Sequence, residues 1–148
     1  MSRRIDRRHI FCLTFQLGFL SDAFDIDTFF ESYMDNHVGE TADSKFIFKE
    51  FSGIYQNIEK IDEIISRTLK AWTIDRLNKA DFAILRLAVY EMMYSDEIPA
   101  SVAINEAVEL AKMYCEDTSP GSINAILGAI LRDKDRDKDK EGTEPEGL

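Results

Sequence analysis

The strongest constraint on the fold is the spacing of apolar residues, which recur every three or four positions along most of the chain. One example is DIDTFFESYMDNHVG, in which the apolar residues at i, i+3, i+4, i+7 and i+8 are Ile26, Phe29, Phe30, Tyr33 and Met34. This is the period of one helix face, whereas a half-buried strand needs strict alternation, of which the sequence has no convincing run. The pattern therefore predicts an all-α chain of six or seven helices without a sheet.

A few residues that favour or stop helices mark the predicted helix ends. Gly18 follows the first apolar stripe and predicts its end. The long apolar stretch after the second helix needs one break, for which either Gly53 or Asn57 is suited. Ser119 and Pro120 predict the start of the last helix, with the serine as N-cap and the proline at the first helical position.

Charge is distributed unevenly along the 148 residues, whose formal net charge is -10. Residues 1–9 carry a local excess of +3, whereas residues 10–131 carry a net charge of -11. An acidic body repels nucleic acid except where a basic patch overrides it, and it suits a basic protein partner.

Motifs for metal binding, catalysis or membrane insertion are absent from the sequence. Cys12, Cys115, His9 and His37 lack the spacing of a zinc site, and the cysteines are most simply interpreted as small buried apolar side chains. Without a phosphate-binding loop, a dinucleotide-binding glycine motif or a nucleophile motif, we expect no catalytic residue, cofactor or metal. The lack of a long apolar run and of a signal peptide predicts a cytoplasmic protein.

Four arginines in the first eight residues are the one basic cluster. On a helix, Arg3, Arg4, Arg7 and Arg8 fall within one arc of about 140°. Arginine grips phosphate with two hydrogen bonds and stacks on bases, so the cluster is a candidate nucleic-acid surface. The residues alone do not decide between a nucleic-acid surface and a basic N-terminal end of a soluble protein. The phenylalanines that continue the arc, Phe11 and Phe15, are interpreted as core residues rather than stacking residues.

The second half of the chain contains the stretch DFAILRLAVYEMMYSDEIPASVAINEAVELAKMY, which follows LKAWTIDRLNKAD and precedes SPGSINAILGAI. Together with the arginine-rich opening, these segments closely resemble the NusB family of transcription antitermination proteins. It covers roughly residues 3–131 and is strongest over 69–112.

This resemblance implies an all-helical domain over 1–131, made of an N-terminal bundle (1–75) and a C-terminal bundle (76–131). The tail, 132–148, is expected to lack fixed structure because its charges alternate without an apolar face. Family members bind single-stranded boxA RNA of ribosomal RNA leader transcripts together with the ribosomal protein NusE. The complex joins elongating RNA polymerase and other Nus factors and suppresses premature termination. The role is not enzymatic, and both monomers and homodimers occur in the family.

The resemblance also assigns site residues by position. The residues that match or replace the family's RNA-binding positions are Arg3, Arg4, Arg7, Arg8, Ser122 and Asn124. Of these, Arg8 stands where the family usually has glutamate, and Ser122 replaces a frequent phenylalanine, so it cannot stack a base. Asp81 matches an acidic position on the surface that faces NusE.

Four polar residues on the apolar helices are predicted to be internal anchors between helices: Arg86, Glu91, Asn105 and Glu106. Two alternative functions remain open at this point. The chain could be a protein-only adaptor that has lost RNA affinity. It could also be a helical module related to one found in ribosomal RNA cytosine methyltransferases, although it has no cofactor-binding unit of its own.

Overall fold

The computed structural model describes residues 3–20, 25–37, 42–69 and 77–143. Within these ranges the chain forms seven α-helices and no strand. They are α1 (Arg3–Leu17), α2 (Ile26–Asp35), α3 (Ser44–Gln56), α4 (Ile58–Leu69), α5 (Lys79–Tyr94), α6 (Ala100–Tyr114) and α7 (Ser119–Thr143). The prediction of six or seven helices without a sheet is confirmed for this part of the chain, and α1 ends before Gly18 as expected.

Short polar side chains begin several of the helices. Ahead of α3, the carboxylate of Asp43 accepts a hydrogen bond from the backbone N–H of Phe46 at 3.2 Å. Ahead of α5, the amide oxygen of Asn78 accepts one from the N–H of Asp81 at 2.7 Å. Each cap satisfies a first-turn N–H group that has no partner within the helix.

The break in the long apolar stretch falls at Asn57, one of the two residues that the sequence suggests. Its backbone N–H, at 3.1 Å, and its side-chain Nδ2, at 2.8 Å, both donate to the C=O of Gly53. Gly53 itself stays inside α3, where it allows the ring of Tyr90 on α5 to come close. A Cβ at position 53 would lie 2.7 Å from Cε1 of that ring.

Helix α5 lies at the centre and packs against α1, α3, α4, α6 and α7. It is apolar on nearly every side, so it needs neighbours all round to bury its surface. The largest fully buried side chains are Phe51, Ile10, Leu13, Ile47, Ile54, Ile61, Ile65, Ile84, Leu85, Ile123, Leu127 and Ile130. The expected boundary between two bundles, at 75/76, falls outside the described residues and stays a prediction.

A buried ion pair joins α1 to α5 within this apolar surrounding. The Nε of Arg7 donates to both oxygens of Glu91, at 3.0 and 3.3 Å, and its Nη2 lies 3.0 Å from Oε2. Arg7 is 8% exposed and Glu91 is 3% exposed. Removing one partner of such a pair is costly because it leaves the other charge buried alone.

A second buried carboxylate lies near this pair. Glu50 on α3 is buried, and burial raises its pKa, with the negative charge of Glu91 adding to the effect. Burial also raises the pKa of Glu91, although the hydrogen bond from Arg7 opposes the rise. The two glutamates therefore keep their protons to higher pH when the chain is folded.

The expectation of an unstructured tail from residue 132 is wrong as far as Thr143, because α7 continues to that residue. Basic and acidic residues alternate here, so side chains three positions apart have opposite charge and can pair on a helix. Arg136 and Asp133 do so at 3.3 Å. In addition, Nζ of Lys134 donates to the C=O of Met92 at 2.6 Å, which satisfies a carbonyl at the end of α5.

We expect Gly53→Ala to destabilise the fold, by about 1–3 kcal/mol, because the added methyl group meets the Tyr90 ring. Urea or thermal unfolding followed by circular dichroism measures the change. Gly121→Ala is the matched control, since a Cβ there meets no atom within 4 Å. It should leave stability unchanged or raise it slightly, as alanine favours a helix more than glycine. Equal losses in the two variants would contradict the close contact.

Arg7→Ala is expected to cost about 3–5 kcal/mol of unfolding free energy, because Glu91 is left buried without its partner. Arg8→Ala, at the exposed neighbouring position, should change stability by no more than about 0.5 kcal/mol. The same unfolding measurement on both variants tests the difference. A similar, small change for both would show that the ion pair does not hold α1.

Glu50→Gln is expected to stabilise the fold increasingly as pH rises. The folded-state pKa of Glu50 is raised above its ordinary value of 4.5. The stability this provides is present below the unfolded pKa and is lost as pH rises through the folded pKa. Glutamine removes that loss, so the gain in unfolding free energy should be larger at about pH 7 than at about pH 4. The exposed Glu63→Gln is the control for replacing a glutamate at the surface. A difference between the parent and Glu50→Gln that does not change with pH would rule the effect out.

Candidate nucleic-acid interface

The first two turns of α1 carry the four arginines, and the structure separates them by environment. Arg7 points into the core, whereas Arg3, Arg4 and Arg8 are exposed. Of the four arginines that the sequence places in one arc, one is therefore buried in the fold and three lie at the surface. The outward positive charge at this end of α1 comes from those three.

Arg3 is held against the start of α3. Its Nη1 donates to Oδ2 of Asp6 at 2.9 Å and to Oδ2 of Asp43 at 3.3 Å, and its guanidinium carbon lies 3.6 Å from the ring centre of Phe46. Asp6 is fully buried and also accepts from the N–H of Asp43. The hydrogen bond to Asp6 raises the pKa of Arg3. The guanidinium is therefore fixed in position while half of the side chain remains open to solvent.

Arg4 reaches across to α6. Its Nε donates to both carboxylate oxygens of Glu106, each at 3.1 Å. The side chain of Arg4 is nevertheless 65% exposed, against 18% for Glu106. Arg8 is exposed and forms no ion pair with any part of the chain that the structure describes. Arg4 and Arg8 are thus the most accessible cations of the cluster.

A row of aromatic rings runs along α1 beside the arginines. The ring centres of Tyr114 and Phe11 are 4.8 Å apart, those of Phe11 and Phe15 6.1 Å, and those of Phe15 and Phe19 5.2 Å. Phe11 is buried and Phe15 partly buried, which agrees with their interpretation as core residues. The two ends of the row are open, with Phe19 63% and Tyr114 42% exposed. Nζ of Lys79 lies 5.2 Å from the Phe19 ring centre.

Sequence reasoning missed the exposed ends of this row. The four-residue spacing of Phe11, Phe15 and Phe19 gave a signal, but Phe19 lies beyond the predicted end of the helix. Tyr114 joins from α6, about 100 positions away in sequence, so no local pattern could reveal it. Exposed aromatic rings beside cations can stack unpaired bases.

The start of α7 differs from the predicted capping. Ser119 is buried, and its hydroxyl donates to Oδ2 of Asp81 at 3.0 Å instead of capping α7. The N–H of Ser122 bonds to the C=O of Thr118 at 3.3 Å, so the helix begins one residue earlier than expected. The prediction of Ser119 as N-cap is wrong because Asp81 offers its hydroxyl a charged acceptor.

Asp81 therefore ties the start of α5 to the start of α7. Its other oxygen, Oδ1, is buried, and no hydrogen bond of ordinary geometry reaches it from the residues that the structure describes. The carboxylate also affects Cys115, since burial first, and the hydrogen bond to Asp81 second, raise the pKa of that thiol to about 12. The predicted partner-facing residue is thus partly buried and already shared between helices.

Ser122 and Asn124 both lie exposed in the first turns of α7. Two residues apart on a helix, they point about 200° away from each other. They cannot form one continuous contact with the same group. The structure therefore supports Ser122 and Asn124 as accessible positions, but not as a pair on one face.

Three of the four predicted internal anchors are confirmed. Arg86 on α5 holds Asp62 on α4 through its Nε and Nη2, at 2.9 and 2.8 Å. Glu91 and Glu106 bind arginines of α1, as described above. The prediction for Asn105 is wrong, since this side chain is exposed on the outer face of α6.

The histidines meet between α1 and α2 without forming a metal site. Nδ1 of His9 lies 2.7 Å from the hydroxyl of Tyr33, and Nδ1 of His37 lies 2.8 Å from the C=O of the same residue. Within the described ranges, no group of three or more His, Cys, Asp or Glu side chains is placed to hold a metal ion. None of the helices described is long and apolar enough to cross a membrane.

Comparison with known proteins extends these observations. The family model described as the NusB family matches residues 4–132. The transcription antitermination protein NusB of Acetivibrio thermocellus is 41% identical over 136 residues, which cover 90% of this chain and 91% of that protein. The corresponding protein of Clostridium novyi is 39% identical over 133 residues, covering 89% of this chain and 99% of that one.

Solved structures show the same fold. NusB of T. maritima has a TM-score of 0.78 at 35% identity and covers 89% of this chain and 92% of its own. A chain from a crystal structure of antitermination factors NusB and NusE with double-stranded RNA has a TM-score of 0.76 at 22% identity, over 88% of this chain and 96% of its own. At that identity it supports the fold alone. The family match, the curated relatives and the fold agree that this chain belongs to the NusB family.

Proposed function

We propose that this chain is an antitermination factor that binds single-stranded boxA-type RNA of ribosomal RNA leader transcripts together with NusE. In this proposal it joins elongating RNA polymerase and other Nus factors in the cytoplasm. The observation that carries the proposal is the set of outward arginines, Arg3, Arg4 and Arg8, on a chain of net charge -10. Surface cations concentrated in one place on an acidic protein are what a polyanion requires.

The RNA surface is proposed to extend from these arginines to the start of α7, where Ser122 and Asn124 point to different sides of the helix and would make separate contacts. Ser122 cannot stack a base, so the exposed rings of Phe19 and Tyr114 are the better candidates for stacking. Lys79, beside Phe19, adds a cation for a nearby phosphate. Arg7, which matches the family's basic motif, supports this surface from below by holding α1 against α5.

The NusE-facing surface is proposed to include Asp81. A basic ribosomal protein suits the acidic body of the chain. Asp81 is only partly buried at the start of α5, so the part of its side chain that is open to solvent contributes to that negative surface.

A protein-only adaptor is the second candidate, and one observation favours it. Arg3, Arg4 and Arg7 already pair with carboxylates of the chain itself. If those pairs never open, only Arg8 would be left to contact phosphate. RNA binding, measured directly, separates the two candidates.

The test compares the parent chain with Arg3, Arg4 and Arg8 all changed to alanine, leaving Arg7 to hold the fold. We expect boxA RNA affinity, with NusE present, to fall at least about tenfold. The slope of log affinity against log salt should become shallower by roughly 0.7 for each phosphate that the variant no longer engages. Fluorescence anisotropy with labelled RNA at several salt concentrations measures both quantities.

The matched control changes the exposed Arg67, Arg132 and Arg136 of α4 and α7 to alanine, which removes the same charge elsewhere. It should change affinity much less than the arginine variant. Equal affinity in the parent and the arginine variant would remove the RNA surface from α1. No binding by the parent chain, with or without NusE, would leave the adaptor function.

A further inference from the structure

Glu106 lies between two arginines of α1. Its carboxylate receives the Nε of Arg4 on both oxygens, each at 3.1 Å, and Oε1 lies 3.8 Å from Nη1 of Arg7. Arg7 is in turn held by Glu91 through Nε and Nη2. Glu106 therefore has one exposed cationic partner and one buried cationic partner.

The Glu106 carboxylate contacts Arg4 in the same way as a bound anion would. A carboxylate that accepts from an arginine occupies the position that a phosphate oxygen would take on the same group. The carboxylate and the phosphate are both negatively charged, and both accept hydrogen bonds from the guanidinium of Arg4. A phosphate that binds Arg4 in the bidentate mode through Nε and an Nη group must therefore take the place of Glu106.

We propose that Glu106 is an internal competitor for phosphate, which covers Arg4 in the free protein and lowers its affinity for RNA. This inference rests on the proposed function and adds a residue that sets the strength and salt dependence of that surface. Glu106 acts through Arg4 and is a positioning residue rather than an RNA contact.

The geometry allows Arg4 to change partners at low cost. The Arg4 side chain is 65% exposed, and exposed ion pairs stabilise a fold only weakly. When a phosphate takes Arg4, Glu106 is not left alone, because Arg7 is fixed beside it by Glu91. The buried arginine thus retains the carboxylate while the exposed arginine turns to the ligand.

Position 109, one turn further along α6, provides a built-in contrast. Glu109 pairs with Lys112 of its own helix at 3.1 Å, and both side chains are about half exposed. It has the same charge and lies on the same helix, but it contacts no arginine of α1. Any effect of charge alone should appear equally at both positions.

The test measures binding of a short single-stranded RNA to the parent chain, Glu106→Gln and Glu109→Gln over a range of salt concentrations. Glu106→Gln should bind roughly two- to fivefold more tightly, the scale of one exposed ion pair. Its slope of log affinity against log salt should be steeper by up to about 0.7, because the uncovered Arg4 engages one more phosphate. Glu109→Gln should match the parent. Thermal unfolding confirms that all three chains are folded.

A fourth chain combines Arg4→Ala with Glu106→Gln. It distinguishes competition by Glu106 for Arg4 from an effect of Glu106 on the structure of α6. The gain in affinity and slope should disappear when Arg4 is absent, whereas a general loosening of α6 would persist. A gain that survives without Arg4, or weaker RNA binding by Glu106→Gln, would overturn the proposal. So would an equal gain in Glu109→Gln.

A parallel titration with inorganic polyphosphate keeps this inference distinct from the proposed function. If polyphosphate binds Glu106→Gln more tightly than the parent while RNA binds neither, Glu106 covers an anion site and the RNA function fails. If RNA binds but Glu106→Gln binds neither polymer more tightly than the parent, the proposed competition by Glu106 is wrong and the RNA function stands. If neither polymer binds any of the chains, both are overturned.

Discussion

The buried pair between Arg7 and Glu91 is the interaction on which the surface at this end of the molecule depends. It is enclosed by the helices around α5, in a region of low polarity where two unpaired charges could not be tolerated. Together with the buried Ile10 and Leu13, the pair holds one side of α1 against the core. Arg3, Arg4 and Arg8 lie outside that side and are exposed to solvent. The internal contacts of α1 thus fix the direction in which its external charge points.

The arginine-rich motif therefore contributes to the fold through Arg7 and to the proposed function through its other three arginines. Arg3 and Arg4 lean on carboxylates of neighbouring helices, Arg7 is internal, and Arg8 stands free of such pairs in the described structure. Of the exposed arginines, Arg3 is held in position before any ligand arrives, which reduces the conformational entropy lost when it binds. The cost is that part of its charge is already neutralised by the chain itself.

Most of the helices could be predicted from the sequence, because apolar spacing reports directly on burial along one helix. The pairing of Arg7 could not, since its partner lies 84 residues away. Its position on the helix does place it nearer than Arg8 to the apolar stripe of Ile10, Leu13 and Leu17. The family resemblance gave the surface residues, but not their internal partners. Ser119 was assigned a local capping role because local rules cannot show that Asp81 approaches from another helix. Tertiary contacts decided each of these cases.

The helical extension of α7 beyond the core has an electrical consequence. Between residues 132 and 137 basic and acidic side chains alternate and are equal in number. Neighbouring charges of opposite sign cancel within a few ångströms, so the far field of this rod is close to zero even before ions screen it. A polyanion at a distance would sense the acidic body and the arginine end, but hardly the extension. A charged segment can thus lengthen the helix while adding almost nothing to the long-range electrostatic field of the protein.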